Sequence, residues 1–229
     1  MKRFNTNHML VRIQILLACL LSLCLQQATA QKIVEKHLDF TQRDFLALDL
    51  QIADSIRIHT WDKKEVYVKA SIDVNDNKDN DDYNVNFDES SSNVLVRSKF
   101  ITQHVQVYHK NDSCNCWCGG YQSKIYFDVY LPEHIPFSVK TIDGNIIITG
   151  KTDEIEANSI SGFIDLALAP EHKADIRMNT ITGTIYSNLA LNGVEHKGSS
   201  SNILDEYNGG GKPINLKTIS GDIFLRKEE

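Results

Sequence analysis

The chain has 229 residues, of which 24 are basic and 30 acidic, and its net charge is −6. An acidic chain lacks the basic surface that contacts with a phosphate backbone require, so the composition argues against a nucleic-acid partner. The sequence contains no GxSxG, HExxH or P-loop motif, and we predict neither an enzyme nor a cofactor.

Residues 1–30 have the pattern of a signal peptide. Three basic residues precede an apolar run of eleven, Ile15 to Leu25, which is shorter than the ~20 residues that a membrane-spanning helix needs. Ala28-Thr29-Ala30 is typical of a cleavage site. We therefore predict export of a mature chain, with net charge −9, to the periplasm, the outer-membrane surface or the extracellular space.

Cys24 raises the alternative of a lipoprotein. Leu21-Ser22-Leu23-Cys24 loosely resembles a lipid-attachment box, but such a box has a small residue where this chain has Leu23. We expect no lipid on Cys24, and peripheral membrane association would arise only if this expectation is wrong.

Residues 31–136 predict an irregular β part, because apolar residues alternate there with period two. The alternating positions are Leu46, Leu48, Leu50, Ile56, Ile58, Val66 and Val68. Further strands are predicted near residues 83–88, 93–98 and 103–109, and the strongest, at 125–131, stops at Pro132.

Residues 75–82 form an acidic run of Asn, Asp and Lys. Its carboxylate and amide oxygens are ligands that calcium accepts. The run lacks the sixth-position glycine and twelfth-position glutamate of the helix-loop-helix calcium motif. A solvated hairpin tip is the favoured interpretation.

Residues 111–120 carry all three cysteines of the mature chain, Cys114, Cys116 and Cys118, downstream of His109. Export favours a disulfide in a structural loop, and the odd number leaves one thiol for pairing between chains. Alternate cysteines with His109 could instead hold zinc or copper. Three interpretations stay open: a structural loop with a disulfide, a metal site, or neither of these.

Residues 137–229 repeat a four-residue phrase, and the units that contain it start 18, 21, 18 and 20 residues apart. Its copies are Thr141-Ile142-Asp143-Gly144, Ser159-Ile160-Ser161-Gly162, Thr180-Ile181-Thr182-Gly183 and Thr218-Ile219-Ser220-Gly221, with a worn copy at Gly198-Ser199-Ser200-Ser201. Apolar residues alternate on both sides of each glycine, and their phase shifts there. Each unit is therefore predicted to be a strand, a glycine corner with positive φ, and a second strand.

Stacking of such units predicts an all-β fold, a β-solenoid or β-helix-like stack of coils of about 18–21 residues. Residues 31–229 would form one elongated domain, with regular coils at 137–229. A sandwich of short strands is the competing architecture.

The Thr/Ser column at positions 141, 159, 180 and 218 has two interpretations: an exposed ladder that binds a ligand, or a wall whose hydroxyls bond the backbone. Acids near the corners, Asp143, Asp165, Asp205 and Asp222, occupy different positions in their units and form no defined catalytic pair. We interpret them as turn residues.

The outward side chains of the coils are polar and mixed in charge. They are Lys140, Glu156, Asn158, Arg177, Asn179 and Lys217. This pattern is typical of a solvated wall or a carbohydrate-facing surface, and it shows no aromatic platform.

Three segments resemble the bacterial β-strand-repeat domains called "putative adhesins", and secondly the head domain of autotransporter adhesins. They are residues 216–223 (LKTISGDI), residues 60–68 (TWDKKEVYV), and residues 129–132 with 137–141 (VYLP and FSVKT). The resemblance covers most of residues 46–225. It implies a β-solenoid-like domain of a cell-envelope protein without established catalytic residues, and the cysteine loop is not part of its pattern.

We therefore predict a non-enzymatic envelope protein whose stacked sheet binds or assembles with an envelope protein or a glycan. Formation of an oligomer is an open alternative. A metal- or redox-responsive sensor built on Cys114–Cys118 is one alternative. A carbohydrate-active enzyme on a β-helix is the other.

Overall fold

The computed structural model describes residues 31–101, 122–191, 194–197 and 200–228, with only the backbone described at 194–197 and 200. This part contains sixteen strands, one 3₁₀ turn (Asn80–Asp82) and no α-helix, so the all-β prediction is confirmed. The strands are β1 (Lys32–Asp39), β2 (Phe45–Leu50), β3 (Ile52–Trp61), β4 (Glu65–Val74), β5 (Tyr83–Glu89), β6 (Asn93–Phe100), β7 (Ser123–Pro132), β8 (Phe137–Thr149), β9 (Ile155–Ser161), β10 (Ile164–Leu168), β11 (Ala174–Thr180), β12 (Ile185–Ser187), β13 (Val194–Lys197), β14 (Ser200–Tyr207), β15 (Lys212–Ser220) and β16 (Ile223–Lys227).

The strands pair in two ladders that share β8. The first ladder runs β5–β6–β2–β8–β9–β15–β11–β14–β13. The second runs β1–β4–β7–β3–β8–β10–β16–β12. Most pairs are parallel, and the antiparallel pairs lie at both ends of the first ladder and at the β1 end of the second.

The chain passes from the first ladder to the second at each repeated glycine. β8 does so within one strand, since residues 137–143 pair in the first ladder and residues 145–149 in the second. The pairs β9–β10, β11–β12 and β15–β16 do so across a short break. The structure therefore contains the predicted unit, in which two strands are joined at a glycine.

The units do not stack in chain order, however. The last unit, β15–β16, lies between β9–β10 and β11–β12 in both ladders. Ile214 of β15 pairs with Ile155 on one side and Ile176 on the other, so the three units align in register. The β-solenoid prediction is not confirmed. Similar units offer equivalent pairing edges, and the sequence does not say which of them become neighbours.

Alternating apolar residues of both ladders form a single hydrophobic cluster. Ile146 and Ile148 of β8 pair with Ile164 and Leu166 of β10, and all four side chains are fully buried. Complete burial of such a side chain stabilises a fold by about 1.5–3 kcal/mol. The stack of isoleucines and leucines therefore holds the units together.

The repeated glycines lie where neighbouring backbones approach closely. A Cβ at Gly162 would overlap the carbonyl oxygen of Gly144, one at Gly221 that of Gly162, and one at Gly183 that of Gly221. Among these four, Gly162 has a clearly left-handed φ of 126°, Gly144 at 158° is close to extended, and Gly183 and Gly221 have no positive φ. Close approach, rather than the positive φ that the pattern suggested, is what the four positions share.

The Thr/Ser column lies on the inner side of this backbone stack. The hydroxyl of Ser159 donates to the Gly144 carbonyl at 3.3 Å, that of Thr218 to Gly162 at 3.2 Å, and that of Thr180 to Gly221 at 2.8 Å. These side chains are buried and bound to the backbone of the next unit. The contacts favour a structural wall and not an exposed ladder.

The isoleucine of each phrase points to solvent instead. Ile142, Ile160, Ile219 and Ile181 are 45–48% exposed. They follow the paired residues Thr141, Ser159, Thr218 and Thr180, so they form a row across four adjacent strands.

Candidate binding face

The solvent face of the second ladder carries a row of rings that comes from distant parts of the chain. Strand register places His37 of β1 opposite Tyr67 of β4, Tyr67 opposite Tyr130 of β7, and Tyr130 opposite His59 of β3. The inward neighbours Val66, Val68, Val129 and Ile58 are fully buried. Because side chains alternate between the two faces of a strand, burial of the valines and isoleucine directs the rings outward.

These rings touch one another. Centroid distances are 4.6 Å for His37–Tyr67, 6.1 Å for Tyr67–Tyr130 and 5.2 Å for Tyr130–His59. Trp61, two residues beyond His59, lies 5.3 Å from Tyr130 and 6.4 Å from Tyr67. We call these five residues, His37, His59, Trp61, Tyr67 and Tyr130, the aromatic face.

Trp61 is held in place by its polar edge. Its Nε1–H donates to the carbonyl oxygen of Glu65 at 2.8 Å, and Lys63 Nζ lies 4.3 Å from the ring centroid. Such a cation–π contact contributes about 0.5–1 kcal/mol at an exposed site. The ring is therefore oriented before any ligand arrives, which lowers the entropic cost of binding.

Paired charges border the rings. In the adjacent row, Arg57 donates to both carboxylate oxygens of Asp128, at 2.7 and 3.3 Å, and Lys69 lies 3.5 Å from Glu35. Lys63 lies 3.7 Å from Glu65. Each cation has an anion beside it, so the border offers hydrogen-bond donors and acceptors with little net charge.

Burial shifts the pKa values of two residues of the aromatic face, His59 and Tyr67. Partial burial lowers the pKa of His59, against a smaller opposing effect of Asp128, and Nδ1 lies 2.7 Å from Thr149 Oγ1. Burial, together with the nearby carboxylate of Glu35, raises the pKa of Tyr67. Both side chains are therefore neutral near pH 7, and they can each donate and accept a hydrogen bond.

Sequence reasoning missed the aromatic face. The sequence pattern predicted outward positions on the first ladder instead, such as Lys140, Glu156 and Lys217, and these are exposed. The signal was the i, i+2 spacing of His59 and Trp61, which lie on β3 just beyond the alternation at Ile56 and Ile58 that predicted a strand. Its partners Tyr67 and Tyr130 belong to other strands, and only the sheet register brings them together.

The predicted cysteine site cannot be placed. Cys114, Cys116, Cys118 and His109 lie outside the described residues, so the disulfide and the metal site stay predictions. The described part of the chain contains no group of three or more His, Cys, Asp or Glu side chains that could hold a metal ion. It also contains no helix with the length and hydropathy of a membrane span.

The acidic run forms a turn that its own side chains organise. Residues 75–77 all have positive φ, and Asn77 N–H donates to Asp73 Oδ1 at 2.8 Å. The Asn80 side chain accepts from Val74 N–H at 2.7 Å and is buried. These contacts are those of a structured hairpin tip.

The corner acids are engaged separately. Asp165 accepts two hydrogen bonds from Arg226, both at 2.7 Å, and Asp222 accepts one from Thr184 N–H at 2.8 Å. Asp143 is exposed, and Asp205 is buried on β14 of the first ladder. The structure does not bring these four carboxylates together into one site.

No protein-family profile and no curated protein matches this chain. Solved structures do resemble it. A "putative cell adhesion protein" from Clostridium sporogenes ATCC 15579 is 13% identical, with a TM-score of 0.53 over 87% of this chain and 100% of that chain. A "putative adhesin" from Bacteroides fragilis NCTC 9343 has 10% identity and a TM-score of 0.32, with 87% and 99% covered. A "putative lipid binding protein" from Parabacteroides distasonis ATCC 8503 has 10% identity and a TM-score of 0.27, with 86% and 97% covered. The resemblance to adhesin-like proteins is thus confirmed as a likeness of fold, which the Clostridium protein shows over its whole length.

Proposed function

We propose that this chain is a non-enzymatic, exported cell-envelope protein that binds neutral carbohydrate through its aromatic face, in an adhesin-like role. The observation that carries the proposal is the contiguous row of rings on four strands, exposed to solvent on one side and fixed by the sheet below. Large partly exposed side chains in one patch are characteristic of binding surfaces.

The chemistry of the face suits a sugar ring. A pyranose with equatorial hydroxyls has apolar C–H groups on both flat sides, and these pack against the faces of Trp and Tyr rings. Its hydroxyls at the rim need donors and acceptors in the same plane. Arg57 with Asp128 and Lys69 with Glu35 supply both beside the rings.

The charge balance selects among carbohydrates. Because each of these bordering cations has a carboxylate partner, an acidic sugar would gain no unpaired cation there and would meet a mature chain of net charge −9. A neutral sugar avoids this repulsion. We therefore assign neutral β-linked pyranoses, such as glucose and N-acetylglucosamine units, as the ligand class.

Binding without catalysis is the simpler function for this arrangement. Asp165 is held by Arg226 and Asp128 by Arg57, so these carboxylates are used in ion pairs on the sheet surface. Glycoside hydrolysis needs two carboxyl groups across one scissile bond. Export is supported by the pattern of residues 1–30.

The proposal includes the scaffold. We regard the units β8, β9–β10, β15–β16 and β11–β12 as coils of a solenoid-like stack with one unit displaced from chain order. A stack of this kind supports the aromatic face, whose five residues all lie on the neighbouring strands β1, β3, β4 and β7.

A glycan-binding measurement tests the proposal. The purified protein should bind cello- or chito-oligosaccharides by isothermal titration calorimetry, and Trp61→Ala or Tyr130→Ala should weaken binding about tenfold or more. Tyr126→Ala is a matched control, since Tyr126 is an exposed tyrosine on the same strand and face, four residues from Tyr130. Equal binding by Tyr130→Ala and Tyr126→Ala, or no binding of either saccharide by the native protein, would contradict the proposal.

A further inference from the structure

A second cluster of rings lies on the same face of the second ladder, near its opposite end. Tyr186 of β12 stacks on Phe224 of β16 with 5.1 Å between centroids and 10° between ring planes. Phe163, which precedes β10, meets Phe224 edge-on at 5.9 Å. Tyr186 is 49% exposed. We call Phe163, Tyr186 and Phe224 the distal patch.

The distal patch has the same kind of polar border as the aromatic face. Asp165 and Arg226 form an ion pair with two hydrogen bonds of 2.7 Å, and Asp128 and Arg57 beside the aromatic face form one with hydrogen bonds of 2.7 and 3.3 Å. Strand register carries the row of Asp128 and Arg57 through Ile147 to Asp165. The same row continues to Phe224 and then Tyr186.

The surface between the two ring clusters carries apolar and small side chains beside the Asp165–Arg226 ion pair. Its outward positions on β8 and β10 include Ile147, Thr149 and Ala167, all of them partly or fully buried. From β7 to β12 there are five strand-to-strand steps. At ~4.8 Å a step, Tyr130 and Tyr186 are about 24 Å apart across the strands, and the nearer members on β3 and β16, three steps apart, are separated by about 14 Å.

We propose that the aromatic face and the distal patch are the two ends of one extended site, which binds a polymeric neutral glycan lying across the strands. This inference rests on the proposed carbohydrate-binding function and adds to it the size and direction of the ligand. A single sugar cannot reach both clusters, whereas a chain of several β-linked units can. Once one end is bound, the other binds at a high effective concentration.

The inference predicts that affinity rises with chain length. Chitohexaose or cellohexaose should bind at least about tenfold more tightly than the corresponding dimer, because only the hexamer reaches both clusters. Tyr186→Ala should lower the affinity for the hexamer about tenfold and leave the affinity for the dimer unchanged. Tyr186 is half exposed on a short edge strand, so its replacement leaves the hydrophobic cluster intact.

Calorimetry of the native protein, Tyr186→Ala, Trp61→Ala and Tyr126→Ala with the dimer and hexamer distinguishes the outcomes. A length gain that Tyr186→Ala abolishes supports the extended site. If dimer and hexamer bind equally, or if Tyr186→Ala leaves the hexamer unaffected while Trp61→Ala weakens both, the extended site is wrong and the aromatic face stands. If Trp61→Ala has no effect on either saccharide, the carbohydrate-binding function fails, and the extended site fails with it.

Discussion

The two halves of the chain hold their strands in register by different means. From Phe137 onward the same contact recurs: a Thr or Ser hydroxyl donates to a glycine carbonyl of the neighbouring unit, and glycine permits the approach. The described residues before Pro132 include no glycine, so this contact is absent from them, and individual side chains make the contacts instead. An example is Tyr83, whose buried hydroxyl donates to Ile52 O at 2.6 Å and lies 2.7 Å from Ser98 Oγ. The repeated half shows how backbone stacking builds a scaffold, and the irregular half shows where individual side chains carry the chemistry.

The largest expected effect breaks the backbone stack of the repeated half. Gly221→Val should destabilise the protein by more than about 4 kcal/mol, because a Cβ there overlaps the carbonyl of Gly162 and the branched side chain has no room to shift. Gly162→Val should cost as much, since its φ of 126° adds strain. Asp222→Ala beside it should cost several-fold less. Chemical denaturation measures all three, and equal losses would show that the glycines do not determine the stacking.

Two glycines distinguish the effect of close backbone approach from the effect of a positive φ. Gly209 has a φ of 87° with open space around its missing Cβ, whereas Gly221 has no positive φ and no space. Gly209→Ala should cost only about 1–2 kcal/mol, the strain of the left-handed backbone. Gly221→Ala should cost clearly more. The reverse order of melting temperatures would mean that φ and not overlap selects glycine in the phrase.

A smaller effect is expected in the irregular half. Tyr83→Phe should destabilise by about 1–3 kcal/mol, because the part-buried Ile52 carbonyl and the buried Ser98 hydroxyl lose their partner. Tyr126→Phe, at an exposed tyrosine, is the matched control and should change stability by less than about 0.5 kcal/mol. If Tyr83→Phe leaves the free energy of unfolding unchanged, this half does not depend on single polar contacts.

Acidification tests the electrostatics of the aromatic face. Burial lowers the pKa values of His59 and His172 below their ordinary 6.5, so the folded protein binds fewer protons than the unfolded chain. Their contribution to stability is complete above pH 6.5 and is lost as the pH falls through the lower folded values. The melting temperature should therefore decrease below pH 6.5, and His59→Gln should reduce that decrease. Asp39 and Asp81, whose pKa values are lowered from 3.8, affect stability only in more acidic solution.

The smallest effect is expected at the exposed isoleucines of the phrase. Ile160→Thr or Ile219→Thr should change stability by less than about 0.5 kcal/mol, because nearly half of each side chain already faces water. Ile164→Ala in the buried stack is the contrast and should cost about 2–5 kcal/mol. Comparable losses at Ile160 and Ile164 would show that the row of isoleucines is covered in solution.

The sequence predicted the local strand structure of both halves, but it predicted little of the order in which those strands pair. Alternation around Gly162 and Gly221 predicted paired strands at a glycine, and alternation at Leu46–Leu50 and Ile125–Leu131 predicted β2 and β7. It could not predict that β15–β16 inserts between earlier units, because similar units pair equally well in several orders. The aromatic face was missed for a related reason: cross-strand neighbours depend on register, which a single strand does not reveal.

The most direct test of the central claim is an NMR titration of the native protein with chitohexaose or cellohexaose, observing the Trp61 indole N–H and the backbone amides of the second ladder. Shifts should centre on β3, β4 and β7 and extend across β8 and β10 to β16 and β12. The exposed isoleucines of the first ladder should be unaffected. Shifts confined to the first ladder, or none at saturating saccharide, would contradict the assignment of a carbohydrate-binding face.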